Sequence, residues 1–198
     1  MADKETLIFV EGPSDKVFLE VYLYFLEDLP IKNFKVQNIK GKDNLSKRLL
    51  EIEKYDKTLI IFDADKDYES NKKEILKVVS KTKQTISEEQ IFLFPNNQDD
   101  GDLETLLLEI AKHTKFLKCF EGYLECIKSK EYYKPIKNIR KNMLYAYLEV
   151  LGLENLTKTN IDVFDNESKI KNKHEENYRR LKEMIDFNQN LSFPLKIF

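Results

Sequence analysis

The chain has 198 residues, of which 41% are hydrophobic and 34% are charged. This length and composition suit one domain of ordinary size with a buried core, and they argue against a disordered chain. The 33 Lys and Arg residues are balanced by 35 Asp and Glu residues, so the formal net charge is −2. A wholly basic nucleic-acid binder is therefore excluded, although a local basic surface is not.

Neither a membrane span nor a secretory signal is evident in the sequence. No apolar run reaches the ~18 residues that a bilayer requires. The N-terminal segment MADKETLIFVEG also lacks the charged-then-apolar organisation of a signal peptide. We therefore expect a cytoplasmic protein with no membrane partner.

The two cysteines lie in a segment with helical spacing. Cys119 and Cys126 are seven residues apart, or about 10 Å along a helix axis. That separation exceeds the roughly 7 Å between Cα atoms that a disulfide tolerates. We expect both to be free thiols that are buried like small apolar side chains.

Strand and helix patterns alternate through the first 110 residues. Short apolar runs predict four strands, and apolar residues at helical spacing predict a helix after each strand. Ser14 is expected to cap the first helix, and Pro30 to end it. The strands are predicted at 7–10, 34–39, 58–62 and 90–94, and the helices at 17–29, 45–52, 75–79 and 103–110.

This alternation predicts right-handed βαβ crossovers and a parallel sheet. We expect an α/β fold over residues 1–112, with a four-stranded, mainly parallel sheet flanked by helices. The strand signals stop after that. Helices are predicted at 116–127, at 139–151 and near 175–185, so residues 113–198 are expected to form a helical extension packed on the first domain.

Acidic residues follow three of the predicted strands. Glu11 follows the first strand, Asp63 and Asp65 follow the third, and Asp15 and Glu104 lie in the first turns of two helices. Because the carboxyl ends of parallel strands meet at one edge of a sheet, these side chains are expected there together. In an extended chain, Asp63 and Asp65 would also point to the same side. Such like charges repel without a cation, and an oxygen-only ligand set suits Mg²⁺, Mn²⁺ or Ca²⁺.

Apart from Glu11, these acids also have a purely structural explanation. Asp15 and Glu104 suit the positive end of a helix dipole, and Asp102 suits an N-cap. The two acids after the third strand can cap a strand–helix loop. Glu11 has no such capping role at the end of a buried strand, and the combination therefore favours a functional site.

The segments LIFVEGPSD, LIIFDADKD and GDLE, in this order on the alternating pattern, resemble the TOPRIM domain. TOPRIM domains occur in type IA and type II topoisomerases, bacterial primases, OLD-family nucleases and small ribosomal-RNA maturases. Asp15 and the GDLE segment are more similar to the OLD-type branch. The segments KNMLYAYLEVLG and LSFPLKIF look like those of a family of short, stand-alone, uncharacterised TOPRIM-related proteins of bacteria and archaea.

The resemblance implies a TOPRIM-like Rossmannoid fold and a nuclease that hydrolyses phosphodiesters of DNA or RNA with Mg²⁺ or Mn²⁺. The chain lacks the ATPase, strand-passage and polymerising parts that accompany TOPRIM elsewhere. The resemblance therefore implies metal-dependent phosphodiester chemistry, and not the specific reaction of a topoisomerase, a primase or an OLD protein. A partner protein could supply a missing function. The implied catalytic residues are Glu11, Asp63 and Asp65, and the implied metal ligands are Glu11, Asp15, Asp63, Asp65 and Glu104.

Phosphate contacts are expected from lysines, because only four of the basic residues are arginines. The candidates near the acidic edge are Lys40, Lys42 and Lys66. A second basic cluster is interleaved with tyrosines that could stack on bases, although a solvated helix face is the stronger interpretation. It comprises Lys134, Lys137, Arg140 and Lys141, with Tyr132, Tyr133, Tyr145 and Tyr147.

Two other functions remain open from the sequence. The chain could be a non-catalytic TOPRIM module that binds nucleic acid or a partner protein. It could also hydrolyse small nucleotides, because metal and carboxylates do not by themselves select a polymer over a monomer.

Overall fold

The structure is a computed structural model that describes residues 5–25, 33–132, 134, 136–152, 176, 179 and 180. The predicted end of the first helix at Pro30 lies outside these residues, as does most of the predicted helix near 175–185. The chain divides into two compact units, with the boundary between Leu106 and Leu107. Within the described residues, no helix combines the length and the apolar character needed to cross a bilayer.

The first unit is built on a four-stranded sheet in which every strand pair is parallel. The predicted α/β class and the four strands are therefore confirmed, and the arrangement fits a Rossmann-like fold. The strand order is β2-β1-β3-β4. The strands are β1 (Thr6–Val10), β2 (Phe34–Asn38), β3 (Lys57–Asp63) and β4 (Ile91–Phe94).

A helix follows each of these strands in the chain. The helices are α1 (Pro13–Phe25), α2 (Leu49–Ile52), α3 (Tyr68–Val79) and α4 (Leu103–Glu109). Short 3₁₀ helices occupy Lys42–Lys47 and Glu88–Gln90. The helix predicted over 45–52 is therefore a 3₁₀ turn followed by one short α-helix. The predicted cap at Ser14 is wrong, because α1 already begins at Pro13, whose missing N–H and fixed φ suit the first helical position.

The sheet is buried on both faces, which explains why its strands read as continuous apolar runs. On one face the ring of Phe18, from α1, lies edge-on to Phe94 at 6.0 Å between centroids. On the other face Leu45, Ile52 and Ile75 join the strand side chains in one hydrophobic cluster. The ends of the strands are therefore where polar side chains can reach solvent.

The second unit contains α5 (Thr114–Lys128) and α6 (Ile139–Val150). Both cysteines of α5 are free, as expected, but they are exposed, so the prediction that they are buried is wrong. At 3.6 residues per turn they fall on the side of α5 roughly opposite its buried residue, Leu124. Tyr147 is fully buried, so it cannot stack on a base. Its hydroxyl accepts a hydrogen bond from the backbone N–H of His113 at 3.2 Å.

Candidate functional site

The strand order reverses direction between β1 and β3. The chain passes from β1 to β2 on one side, and β3 then pairs with β1 on the other side. In parallel α/β sheets, ligands bind in the crevice beyond the carboxyl ends of the strands at this switch point. Glu11 directly follows β1 and Asp63 ends β3, and the pairing of Val10 with Ile61 brings both strand ends to the same level. These two acids therefore lie where this topology favours ligand binding.

Asp63 is a carboxyl group in an unfavourable place for a negative charge. Burial is the main cause that raises its pKa to about 9, followed by repulsion from Asp15, Glu11 and Glu104. One hydrogen bond acts in the opposite direction, because the Leu103 N–H donates to Asp63 Oδ1 at 3.0 Å. Burial and repulsion therefore favour the protonated form of this carboxyl at neutral pH.

Asp15 is buried in the first turn of α1, with only 6% of its surface exposed. The Gly12 N–H donates to Asp15 Oδ2 at 2.6 Å and favours the ionised form. Burial is the larger effect and, together with the charges of Glu11 and Glu104, raises the pKa of Asp15 to about 6. Because Asp15 and Asp63 repel each other, they release their protons as a coupled pair.

Glu11 connects this pair to the neighbouring charges. Burial raises its pKa, and so does the charge of Asp65, while Lys42 and nearby backbone N–H groups lower it. Its Oε2 atom is buried and has no hydrogen-bond partner among the described residues. A buried oxygen without a donor is costly, and it marks a position that a ligand or ion can satisfy. We call Glu11, Asp15, Asp63 and Glu104 the inner carboxyl set.

Asp65 has a different environment from Asp63. Its φ of 54° is left-handed, and its N–H donates to the Gly101 carbonyl at 2.7 Å. The expectation of an extended chain from Asp63 to Asp65 is therefore wrong. The exposed carboxylate of Asp65 instead forms an ion pair with Lys42.

Lys42 joins Asp65 to α3. Its Nζ also donates to Asn71 Oδ1 at 2.9 Å. Burial lowers the pKa of Lys42, but the hydrogen bond and charge of Asp65, together with Glu11 and Glu74, raise it overall. Of the three lysines predicted to contact phosphate, Lys42 is the one joined to the acidic edge, while Lys40 and Lys66 are exposed.

Sequence reasoning missed Asn71. Its Nδ2 group donates to the carbonyls of Ala64 and Asp67 at 2.7 and 3.0 Å, and so ties the loop after β3 to α3. No motif distinguishes this asparagine from others in the sequence. The predicted N-cap role of Asp102 is confirmed, because its Oδ1 accepts from the Thr105 N–H at 2.8 Å.

The side chains of the inner carboxyl set offer the oxygen atoms that a divalent cation prefers. Among the described residues, however, no group of three or more Asp, Glu, His or Cys side chains is arranged to hold a metal ion. The buried, unpartnered Glu11 Oε2 and the mutual repulsion of Asp15 and Asp63 are both features that a cation would relieve. The chemistry of these donors therefore fits a hard cation, although the carboxylates do not converge on one point.

Fold and site together define a Rossmann-like α/β protein with acidic residues at the switch point of its parallel sheet. The model of the family described as "Protein of unknown function (DUF3226)" matches residues 5–186. The chain therefore belongs to this family. No curated protein and no solved structure gives a significant match to it.

Proposed function

We propose that this chain is a TOPRIM-type, metal-dependent enzyme that hydrolyses phosphodiester bonds in DNA or RNA. The observation that carries the proposal is the inner carboxyl set, in which burial and mutual repulsion raise the pKa of Asp15 and Asp63, and the buried Glu11 Oε2 has no hydrogen-bond partner among the described residues. The three segments that resemble TOPRIM motifs contribute its members. Lys42 and Asp65 add an ion pair beside Glu11.

In this proposal Asp15 and Asp63 hold a Mg²⁺ or Mn²⁺ ion, with Glu104 and Glu11 beside them. When bound, such an ion polarises the phosphoryl group and offsets the charge that develops on the leaving oxygen. Metal binding requires these carboxylates to lose their protons and to approach one another more closely. Metal affinity is therefore expected to rise with pH.

Glu11 is the proposed general base. Its raised pKa brings it closer to neutrality, where a carboxylate accepts a proton more effectively. Its unpartnered Oε2 is available to accept that proton from an attacking water. The carboxylate thus needs no rearrangement of existing hydrogen bonds at that atom.

Lys42 is the proposed phosphate contact. Its ammonium group is held beside Glu11 by Asp65 and Asn71. A substrate phosphate competes for this ammonium, and Asp65 then becomes available as an additional metal ligand. The ion pair would therefore keep both groups in position until substrate arrives.

A non-catalytic module is the second candidate. Two observations favour it: Lys42 already neutralises Asp65, and the described acids do not converge on one point. In that case the acidic edge would serve folding or partner binding, without a divalent cation. The two candidates differ in whether metal stabilises the fold.

The first experiment measures thermal unfolding of the full chain during titration with Mg²⁺ or Mn²⁺. For a site in the folded state, metal at 100 times its dissociation constant adds about 2.7 kcal/mol of stability. We expect this gain in wild type and its loss in Asp63→Asn. Asp56→Asn is the matched control, because this exposed aspartate precedes the opposite end of the same strand.

A cleavage panel of single- and double-stranded DNA and RNA then tests the chemistry. Glu11→Gln should lose at least 100-fold in rate, which is the typical contribution of a general base. Asp56→Asn should cleave like wild type. A wild-type protein that gains no stability from metal and cleaves nothing in the panel would contradict the nuclease proposal and favour the non-catalytic module.

A further inference from the structure

A cavity of about 150 Å³ lies in the first unit, between the 3₁₀ helix that begins at Lys42 and helix α3. Its volume is below the ~300 Å³ of the smallest drug-sized pockets, so it has room for one flat ring system rather than a large ligand. The lining residues are Lys42, Asp43, Leu45, Ser46, Asn71, Glu74, Ile75 and Val78.

The lining combines apolar and acidic character. Leu45, Ile75 and Val78 supply apolar surface, and Asp43 and Glu74 supply exposed carboxylates. Carboxylates repel a phosphate but accept hydrogen bonds from amino and ring N–H groups. The ligand that matches this combination is a flat, uncharged ring with N–H donors, which is the chemistry of a nucleobase.

Lys42 connects this cavity to the candidate active site. The same side chain that lines the cavity also forms an ion pair with Asp65, and its charge lowers the pKa of Glu11. A nucleotide requires one place for its neutral base and another for its anionic phosphate. The ammonium of Lys42 lies at the border between two such places.

We propose that this cavity is a base subsite, which holds one nucleobase of a nucleotide whose phosphate contacts Lys42. The inference rests on the proposed function for the identity of the reacting phosphate. Guanine, adenine and cytosine carry an exocyclic amino group with two N–H donors for the carboxylates of Asp43 and Glu74, whereas uracil and thymine offer one ring N–H. The subsite should therefore prefer the amino-bearing bases.

The test is ligand-observed NMR titration of the full chain with guanosine, adenosine, cytidine and uridine in the presence of EDTA. Without metal or phosphate, this measures base binding alone. Ser46→Phe fills the cavity from an exposed position, and we expect it to lower nucleoside affinity at least tenfold. Ser70→Phe, at an exposed serine of α3 outside the lining, is the matched control.

A second pair of variants tests the acidic rim without adding bulk. Glu74→Gln should weaken guanosine, adenosine and cytidine binding roughly tenfold, as expected for a hydrogen bond to a charged acceptor, and should weaken uridine binding less, because uracil has one ring N–H and no amino group. Glu69→Gln, at another exposed glutamate of α3, should change neither. These surface variants keep the test decisive if Ser46→Phe does not fold.

Equal nucleoside binding by wild type and the cavity variants, or no binding at all, would overturn the subsite. Hydrolysis of bis(p-nitrophenyl) phosphate, which has no base, reports separately on the proposed function. Wild-type hydrolysis without nucleoside binding would reject the subsite alone, and nucleoside binding without hydrolysis would reject the enzyme alone. If a single-stranded oligonucleotide binds more tightly than a mononucleotide, the subsite holds a base of a nucleic-acid strand. If the two bind equally, it holds the base of a free nucleotide.

Discussion

Asp63 and Asp65 are two residues apart, yet they occupy opposite electrostatic environments. Asp63 faces burial and three acidic neighbours, with one backbone N–H in compensation. Asp65 is exposed and paired with Lys42. The difference arises because β3 ends at Asp63 and the chain then turns left-handed at Asp65 to meet Gly101. Two acids of one motif can thus differ in kind: the negative charge is destabilised on Asp63 by burial and repulsion, and is stabilised on Asp65 by an ion pair.

The largest expected effect comes from replacing each member with asparagine in the absence of metal. Asp63→Asn removes an ionisable group that the fold holds protonated, while its Oδ1 can still accept the Leu103 N–H. At about pH 7, it should stabilise the protein by more than ~1 kcal/mol, because each pKa unit corresponds to about 1.4 kcal/mol. Urea unfolding in EDTA measures this effect.

Asp65→Asn should have the opposite sign and a smaller size. Its ion pair with Lys42 is partly exposed, and such pairs contribute less than about 1 kcal/mol. Asp56→Asn should leave stability unchanged. If Asp63→Asn and Asp65→Asn destabilised the protein equally, the two acids would be equivalent and the comparison would fail.

The pH dependence of stability sharpens the same comparison. In the unfolded chain both Asp15 and Asp63 have ordinary pKa values near 3.8, whereas in the folded chain these rise to about 6 and about 9. Between these values the folded state binds more protons than the unfolded state, so the free energy of unfolding falls as pH rises. The slope is at most about 1.4 kcal/mol per pH unit for each such proton.

The fall should be steeper below about pH 6, where both groups contribute, and shallower from there to about pH 9, where Asp63 dominates. Urea unfolding across this pH range in EDTA tests this prediction. Asp63→Asn is expected to remove most of the fall in the free energy of unfolding between about pH 6 and about pH 9. A free energy of unfolding that rose between about pH 6 and about pH 9 in wild type would show that folding does not raise the pKa of these acids.

The sequence predicts the positions of the partly buried acids Glu11 and Asp63 better than the environment of the ion-paired Asp65. Continuous apolar runs reveal buried parallel strands, and the residue after such a strand must lie at the sheet edge, so Glu11 and Asp63 could be placed. The ion pair of Asp65 depends on a carbonyl of Gly101 and on Lys42, 23 residues away, and no local pattern encodes either contact. For the same reason Asn71 escaped notice.

The cysteines of α5 show a similar limit. Helical spacing correctly predicts that Cys119 and Cys126 lie in one helix and remain free thiols, because seven residues separate them by about 10 Å along the axis. It does not tell which side faces the core when other apolar residues surround them. Leu124, and not the cysteines, is the buried residue of this helix. Periodicity thus predicts the element, while packing decides the buried face.

The smallest expected effect concerns the bond between Lys42 and Asp65 itself. A double-mutant cycle with Lys42→Met and Asp65→Asn isolates their coupling, because each single variant removes the same ion pair. We expect less than about 1 kcal/mol, and less still in about 1 M salt, where the Debye length is ~3 Å. Asn71→Ala in the wild-type background reports separately on the other contact of Lys42. A coupling of several kcal/mol that persists in high salt would mean that Lys42 and Asp65 are desolvated together. Asp65 would then belong with the buried acids, and the contrast with Asp63 would not hold.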